Sequence, residues 1–278
     1  MEVIWPASAE KGRRRRALRD VQVVLLVATD VEAAPLVAAL DGLRTIEVTG
    51  GRWHRGRVEG VDVLTVVSGY DKANTAHALT SLFETGRPPL VVQTGIAGAY
   101  PGTRLSTLDL VLADEEAYGD TGSSTPGGWV STEGFGLPLA AVDGRQFFNC
   151  FPIDSGLVTV ARDSLEGAEW LDPTPRLAVG RCLTLSQVTG TTEAARVLAD
   201  RWGALAESME GAAAAQVCAL HRVPFLEIRA ISNAVGNRRR DSWDVPGAAA
   251  RAARAALVLC ADAERLLTAA AAGAPGGE

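Results

Sequence analysis

The segment Val21 to Thr29 (VQVVLLVAT) most limits what this chain can become. An uncharged run rich in β-branched and leucine side chains suits a strand buried on both faces, and such strands belong to sheets covered by helices. It runs into Asp30, placed as the N-cap of a helix that carries Glu32 and continues through Leu40. The pattern then repeats. Thr45 to Glu59 reads as one or two short strands broken at Gly50-Gly51, Val61 to Ser68 as a second core strand, and Ala73 to Glu84 as a helix stopped by Gly86 and Pro88-Pro89. Leu90 to Thr94 is a third core strand, followed by the glycine turn Gly95-Ile96-Ala97-Gly98, and Leu108 to Ala113 is a fourth.

Between Glu115 and Asp154 no period is evident, and so long an irregular stretch in a compact domain is usually functional. Arg176 to Leu185 restores strand character. Thr192 to Trp202 and Gly211 to His221 read as helices, Leu205 to Ser208 and Pro224 to Ile231 as strands, and Asp244 to Thr268 as an Ala-rich terminal helix. Alternating strands and helices predict an α/β fold, a three-layer αβα sandwich. One catalytic domain is expected over residues 21–270, preceded by a disordered or flexible extension over 1–20 and followed by a flexible tail over 271–278.

The formal net charge of −6 argues against general affinity for nucleic acid or anionic lipid, so neither is an expected partner. The one basic run, Arg13 to Arg16, reads as a solvated tail. Cys150, Cys182, Cys218 and Cys260 lie far apart in apolar contexts, as buried reduced thiols do. With no signal-peptide pattern and no apolar run near the ~20 residues that span a bilayer, a cytoplasmic location is expected. His54, His77 and His221 are isolated, so no metal centre is expected.

In open α/β sheets ligands bind beyond the carboxyl ends of strands. Those ends carry Asp30-Val31-Glu32, Ser68-Gly69, Gly95 to Gly98, Met209-Glu210-Gly211 and Ser232-Asn233. Glycine turns, carboxylates and one amide suit a small polar ligand.

The strings TGIAG at Thr94 to Gly98, ESMEGAA at Glu207 to Ala213 and VPFLEIRAISN at Val223 to Asn233 resemble, in type and order, the nucleoside phosphorylase and methylthioadenosine/S-adenosylhomocysteine nucleosidase superfamily. The resemblance covers nearly all of Val21 to Thr268 and implies that superfamily's mixed sheet, a homodimer or larger assembly, a purine riboside substrate and no metal or organic cofactor. It places Glu210 on the ribose hydroxyls, Met209 against the sugar, Glu32 as the water-activating carboxylate, and Asn233 where the nucleosidases protonate the purine with an aspartate. It also implies that Gly69, Thr94, Gly95, Ile96, Ala97, Gly98, Phe151, Val188, Thr189, Ser208 and Ser232 line the substrate site. Further strings resemble the futalosine hydrolases within it: Ala28 to Glu32, TGIAGAYP from Thr94, Tyr118-Gly119-Asp120, Phe151 to Asp154, Val188 to Thr191 and Trp243 to Pro246. One departure is Asp71, where relatives more often carry glycine.

These roles are chemically coherent. Breaking an N-ribosidic bond passes through an oxocarbenium-like sugar, which a carboxylate beneath the ring stabilises. Glu210 suits that task; it also suits a glutamate favoured at a helix N-terminus. A carboxylate at Glu32 repels phosphate and can take a proton from water, favouring hydrolysis over phosphorolysis; the other reading is an ordinary first-turn glutamate. Asn233 matches a leaving hypoxanthine, donor at N7 and acceptor at O6, though neutral adenine is also a bidentate partner for asparagine.

The reading is therefore hydrolysis of futalosine to hypoxanthine and dehypoxanthine futalosine in menaquinone biosynthesis. Alternatives are a methylthioadenosine/S-adenosylhomocysteine or aminofutalosine nucleosidase, a purine nucleoside phosphorylase, or a nucleoside-binding protein without turnover. The 5′ extension of futalosine calls for an apolar slot ending in a cation. Phe147, Phe148, Phe151 and Tyr100 are candidates for its walls, with Arg145 or one of Arg238 to Arg240 at its end; plain core packing accounts for the phenylalanines equally well.

Overall fold

A computed structural model describes residues 7–237 and 242–273. The order is α1 (Ala7–Leu18), β1 (Val23–Val27), α2 (Asp30–Ala38), β2 (Asp41–Val48), β3 (Gly51–Val58), β4 (Val61–Val67), α3 (Lys72–Phe83), β5 (Val91–Ala99) and β6 (Leu110–Tyr118). Short strands follow: β7 (Gly122–Thr125), β8 (Gly128–Ser131), β9 (Ala140–Val142), β10 (Arg145–Phe147) and β11 (Cys150–Pro152). The remainder is α4 (Ser155–Glu166), β12 (Leu177–Thr184), α5 (Thr192–Trp202), β13 (Ala206–Ser208), α6 (Gly211–His221), β14 (Phe225–Ala234), α7 (Val245–Ala261) and α8 (Ala263–Gly273).

The fold is α/β around one mixed sheet. All five residues of β1 are buried, and β1 lies parallel between β4 and β5, as expected of a strand covered on both faces. Beyond β4 the antiparallel strands β3 and β2 form one edge. On the other side the sheet closes on itself: β5 pairs with β14, β14 with β6, β6 with β12, β12 with β13, and β13 back with β5. Helices α2, α4, α7 and α8 pack together in one group and α3 with α6 in another. Among the described residues no helix is long and apolar enough to cross a membrane.

Three expectations are corrected. Gly95 to Gly98 is not a turn but the second half of β5, because β14 continues pairing along it through Ala234↔Ala99 and β13 pairs at Glu207↔Gly98. The supposedly irregular stretch from Glu115 is the extension of β6, then the antiparallel hairpins β7–β8 and β9–β10, and β11. The terminal helix is two helices, interrupted at Asp262.

Within the expected N-terminal extension, residues 7–18 form helix α1. Its C-terminal half docks, with Arg14 over the Trp53 ring, Ala17 and Leu18 buried and the carbonyls of Arg16 and Ala17 accepting from Arg55 Nη1 at 3.1 and 3.3 Å. At the other end of the chain, residues 271–273 close α8, and the rest of the expected tail lies outside the described residues.

Candidate active site

The carboxyl end of β1 builds one wall. Thr29 is the N-cap of α2, and Glu32 completes a capping box. Thr29 N and Oγ1 donate to Glu32 Oε2 at 3.0 and 2.7 Å, while Ile96 N donates to Oε1 at 3.0 Å. The carboxylate is thus buried and aimed by two backbone amides and a hydroxyl. It approaches β5 closely enough that a Cβ on Gly95 would strike it, which is why glycine stands there.

Glu210 lies opposite, at the N-cap of α6, where its side chain makes no cap hydrogen bond to the helix. It instead accepts from Asp71 N at 3.2 Å and Met209 N at 3.3 Å, and faces Arg229 Nη2 at 3.3 Å. Burial raises its pKa from the ordinary carboxylate value; Arg229 opposes the shift and Glu32 adds to it. Asp71 has φ 77°, a left-handed conformation that explains the glycine expected there. The aspartate has a use of its own: its Oδ1 accepts from Lys72 N and from Ser186 Oγ at 2.9 Å, tying two loops together.

Behind Glu210 a charged ladder runs into the core. Arg229 donates through Nε to Glu227 Oε1 at 2.6 Å. Burial lowers the arginine's pKa, but Glu227, Glu210 and Glu32 outweigh it, so the guanidinium is held more firmly protonated than usual. Glu116 is fully buried beside Glu227 and accepts from Thr184 Oγ1 at 2.8 Å. Burial and the neighbouring Glu227 push the Glu116 pKa well above the carboxylate range, so Glu116 keeps its proton while Glu227 serves Arg229. Room for the pair comes from Gly211, where a Cβ would collide with both carboxyl groups.

These walls enclose a cavity of about 480 Å³, within the range of small-ligand sites. Of the residues expected at the site, Glu32, Glu210, Asn233, Ile96, Ala97, Gly98, Val188, Thr189, Ser208, Met209 and Ser232 line this one cavity. Asn233 is held through Ser232 Oγ, which donates to Oδ1 at 2.8 Å, and through Nδ2, which donates to the carbonyl of Ala234 at 3.0 Å.

Four expected residues do not line it. Thr94 Oγ1 donates to the carbonyl of Ala252 at 3.0 Å, tying β5 to α7. Gly95 lies beneath Glu32, and Gly69 is fixed by its N–H on the carbonyl of Ala28 at 3.0 Å. Phe151 is core: it stacks on Phe147 with ring centroids 5.4 Å apart and meets Tyr118 edge-on.

The proposed aromatic slot is accordingly overturned. Phe147 and Phe151 face one another, Phe148 does not line the cavity, Arg145 is exposed over the Phe147 ring, and Tyr100 is buried behind Glu207. Arg238 to Arg240 lie outside the described residues. The apolar lining comes instead from Val31, Tyr70, Val188, Met209, Trp243 and Val245.

Glu207, Arg229 and Tyr70 were not singled out from sequence. For Arg229 a signal existed, since Glu227 and Arg229 are two charges inside an otherwise apolar core strand. Tyr70 follows a glycine in a loop and carries no such mark.

Residues 22–268 match the Phosphorylase superfamily. The chain belongs to that superfamily. Among curated relatives, the futalosine hydrolase of Thermus thermophilus is 35% identical over 205 residues, covering 74% of this chain and 84% of the relative. The 5′-methylthioadenosine/S-adenosylhomocysteine nucleosidase of Chromohalobacter salexigens is 32% identical over 220 residues, 79% and 86% of the two chains. Among solved structures, that nucleosidase from Colwellia psychrerythraea in complex with adenine superposes with a TM-score of 0.73 at 25% identity, covering 87% of this chain and 96% of the other. These superfamily relatives are nucleosidases, hydrolases of N-glycosidic bonds, and this protein is an enzyme of that class.

Proposed function

We propose that this nucleosidase hydrolyses futalosine, releasing hypoxanthine. The observation that carries the reading is that Glu32, Glu210 and Asn233 line one cavity, two carboxylates for the sugar and one carboxamide for the base.

In this reading the 2′- and 3′-hydroxyls donate to Glu210, whose negative charge stabilises the cation growing on the ribose ring as the C1′–N9 bond lengthens. Glu32 takes a proton from water as the water oxygen bonds to C1′. The electron pair of the broken bond leaves with the purine, whose anion takes a proton from solvent water at N7, and Asn233 matches that N7–H with Oδ1 and the O6 with Nδ2. The setting of Glu32 supports this role, because Thr29 N, Thr29 Oγ1 and Ile96 N fix the carboxylate without adding a cation. Among the described residues that line the cavity there is no arginine or lysine to hold a phosphate, which favours water as the attacking species. The 35% identity to the Thermus thermophilus futalosine hydrolase supports the same substrate, and the apolar set around Val31, Tyr70 and Val245 suits its aromatic 5′ extension.

The second reading, a methylthioadenosine/S-adenosylhomocysteine nucleosidase, draws on the Chromohalobacter salexigens relative; Asn233 disfavours it, since an amide is a poor proton donor to a departing adenine. Purified protein incubated with futalosine, aminofutalosine, inosine and methylthioadenosine, with and without phosphate, separates the two. Hypoxanthine from futalosine at a rate indifferent to phosphate is expected, and Asn233→Asp should move the preference toward the 6-amino substrates by about tenfold or more. Faster adenine release from methylthioadenosine by the parent enzyme would overturn the assignment.

A further inference from the structure

The base end of the cavity contains a carboxylate that the reaction above does not use. Glu207 lies on β13, opposite Gly98 of β5, and lines the cavity together with Thr189 and Asn233. Its Oε2 accepts from Thr189 Oγ1 at 2.5 Å and from Tyr100 Oη at 2.7 Å, while Oε1 accepts from Thr189 N at 3.0 Å. Two consequences follow. Both donors of Thr189 are consumed by Glu207, so neither is left for a ring nitrogen. A carboxylate offers about four acceptor positions, so after three donors Oε1 still has one to give.

Glu207 and Asn233 also address the same place. A Cβ built on Gly98 would lie 3.3 Å from Asn233 Nδ2 and 3.7 Å from Glu207 Cγ, so the two side chains flank the bare backbone of that residue. N7, O6 and N1 lie in sequence along one edge of a purine. An amide that engages N7 and O6 places N1 on the side of the neighbouring group, and here that group is an acceptor. Hypoxanthine carries a proton on N1; adenine carries a lone pair there.

We propose that Glu207 accepts a hydrogen bond from N1–H of the purine, making it a second specificity residue that admits 6-oxopurines and excludes adenine by opposing two acceptors. The inference rests on the reading that a purine base occupies the Asn233 end of the cavity. It places the selection between futalosine and aminofutalosine on two residues: Asn233 at O6 and Glu207 at N1. Guanine, which also carries N1–H, passes the Glu207 test.

The test is binding of free bases by calorimetry, which needs no turnover, with hypoxanthine, 1-methylhypoxanthine and adenine titrated into the parent protein and Glu207→Gln. The parent should bind hypoxanthine about 10²-fold or more tighter than either of the others, because each leaves a buried acceptor opposed or unpaired. In Glu207→Gln the carbonyl at the Oε2 position keeps Thr189 Oγ1 and Tyr100 Oη, while the NH₂ at the Oε1 position faces N1 and leaves Thr189 N without its acceptor. Hypoxanthine should then weaken about tenfold or more and adenine strengthen, so that their ratio closes by about 10²-fold.

Tyr100→Phe separates reading from wall-building, since it removes one donor from Glu207 and leaves the carboxylate in place. It should keep the parent's hypoxanthine-to-adenine ratio whatever it does to thermal stability. An unchanged ratio in Glu207→Gln, or equal weakening of all three bases, would overturn the proposal. If the parent releases hypoxanthine from futalosine yet binds hypoxanthine and 1-methylhypoxanthine alike, Glu207 is excluded while the futalosine reading stands. If it binds no purine at all, both fall together.

Discussion

The two ends of the cavity use the same chemical group in opposite ways. At the sugar end, Glu210 sits within a set of interacting charges: Arg229 lies 3.3 Å from Glu210 and 2.6 Å from Glu227, and Glu116 keeps a proton behind them. At the base end, Glu207 accepts hydrogen bonds from three neutral donors. A carboxylate among charges has its field tuned by them and can respond to charge that develops during a reaction. One held by two hydroxyls and an amide is fixed in direction, which serves recognition. The division teaches that burial of an acid does not by itself mark it as reactive; what surrounds it decides.

The comparison breaks most directly at the sugar end. Glu32→Gln and Glu210→Gln should each lower kcat by about 10²-fold or more while the circular dichroism spectrum is retained; turnover near that of the parent in either variant would remove that residue from the reaction. Since burial raises the Glu210 pKa, kcat/KM of the parent should begin to fall, as pH drops, above the ordinary glutamate value of about 4.3.

A smaller effect is expected in the core behind that end. Gly211→Ala would normally favour a helix, yet here it should destabilise the fold by about 1–3 kcal/mol, because the new methyl meets Glu116 and Glu227. At about 2–4 °C per kcal/mol for a chain of this size, a melting curve detects it. A raised Tm would show that the two carboxyl groups are not packed against α6.

The smallest effect sharpens the charge assignment. Glu116 retains its proton in the folded protein, whereas in the unfolded chain it ionises above about pH 4.3. The stability it contributes is therefore full below that value and is lost as pH rises toward its raised folded pKa. Glu116→Gln stays neutral throughout, so its Tm relative to the parent should rise by roughly 3–5 °C per pH unit above about pH 5, until the raised folded pKa is reached. A pH-independent difference would mean that Glu116 is ionised in the fold.

Most of the scaffold was legible because its signals are local. The apolar run at Val21 to Thr29, the helix Thr192–Trp202 and the helix Gly211–His221 are marked by burial pattern, caps and composition that need no partner. Gly95 to Gly98 misled for the opposite reason. Glycines read as a turn unless neighbours claim the backbone, and here β13 and β14 do. The phenylalanines 147 and 151 were equally ambiguous, since stacking on each other or on a ligand leaves the same trace in sequence.

Sequence alone determined the α/β alternation and the identity of the polar residues at the strand ends, because both follow from periodicity and short-range order. The closed ring of strands, the ladder from Glu116 to Glu210 and the approach of Glu207 to Asn233 were decided only by tertiary structure. Each joins residues far apart along the chain, brought together by the packing of the strands. Packing geometry of that kind leaves no local pattern to read.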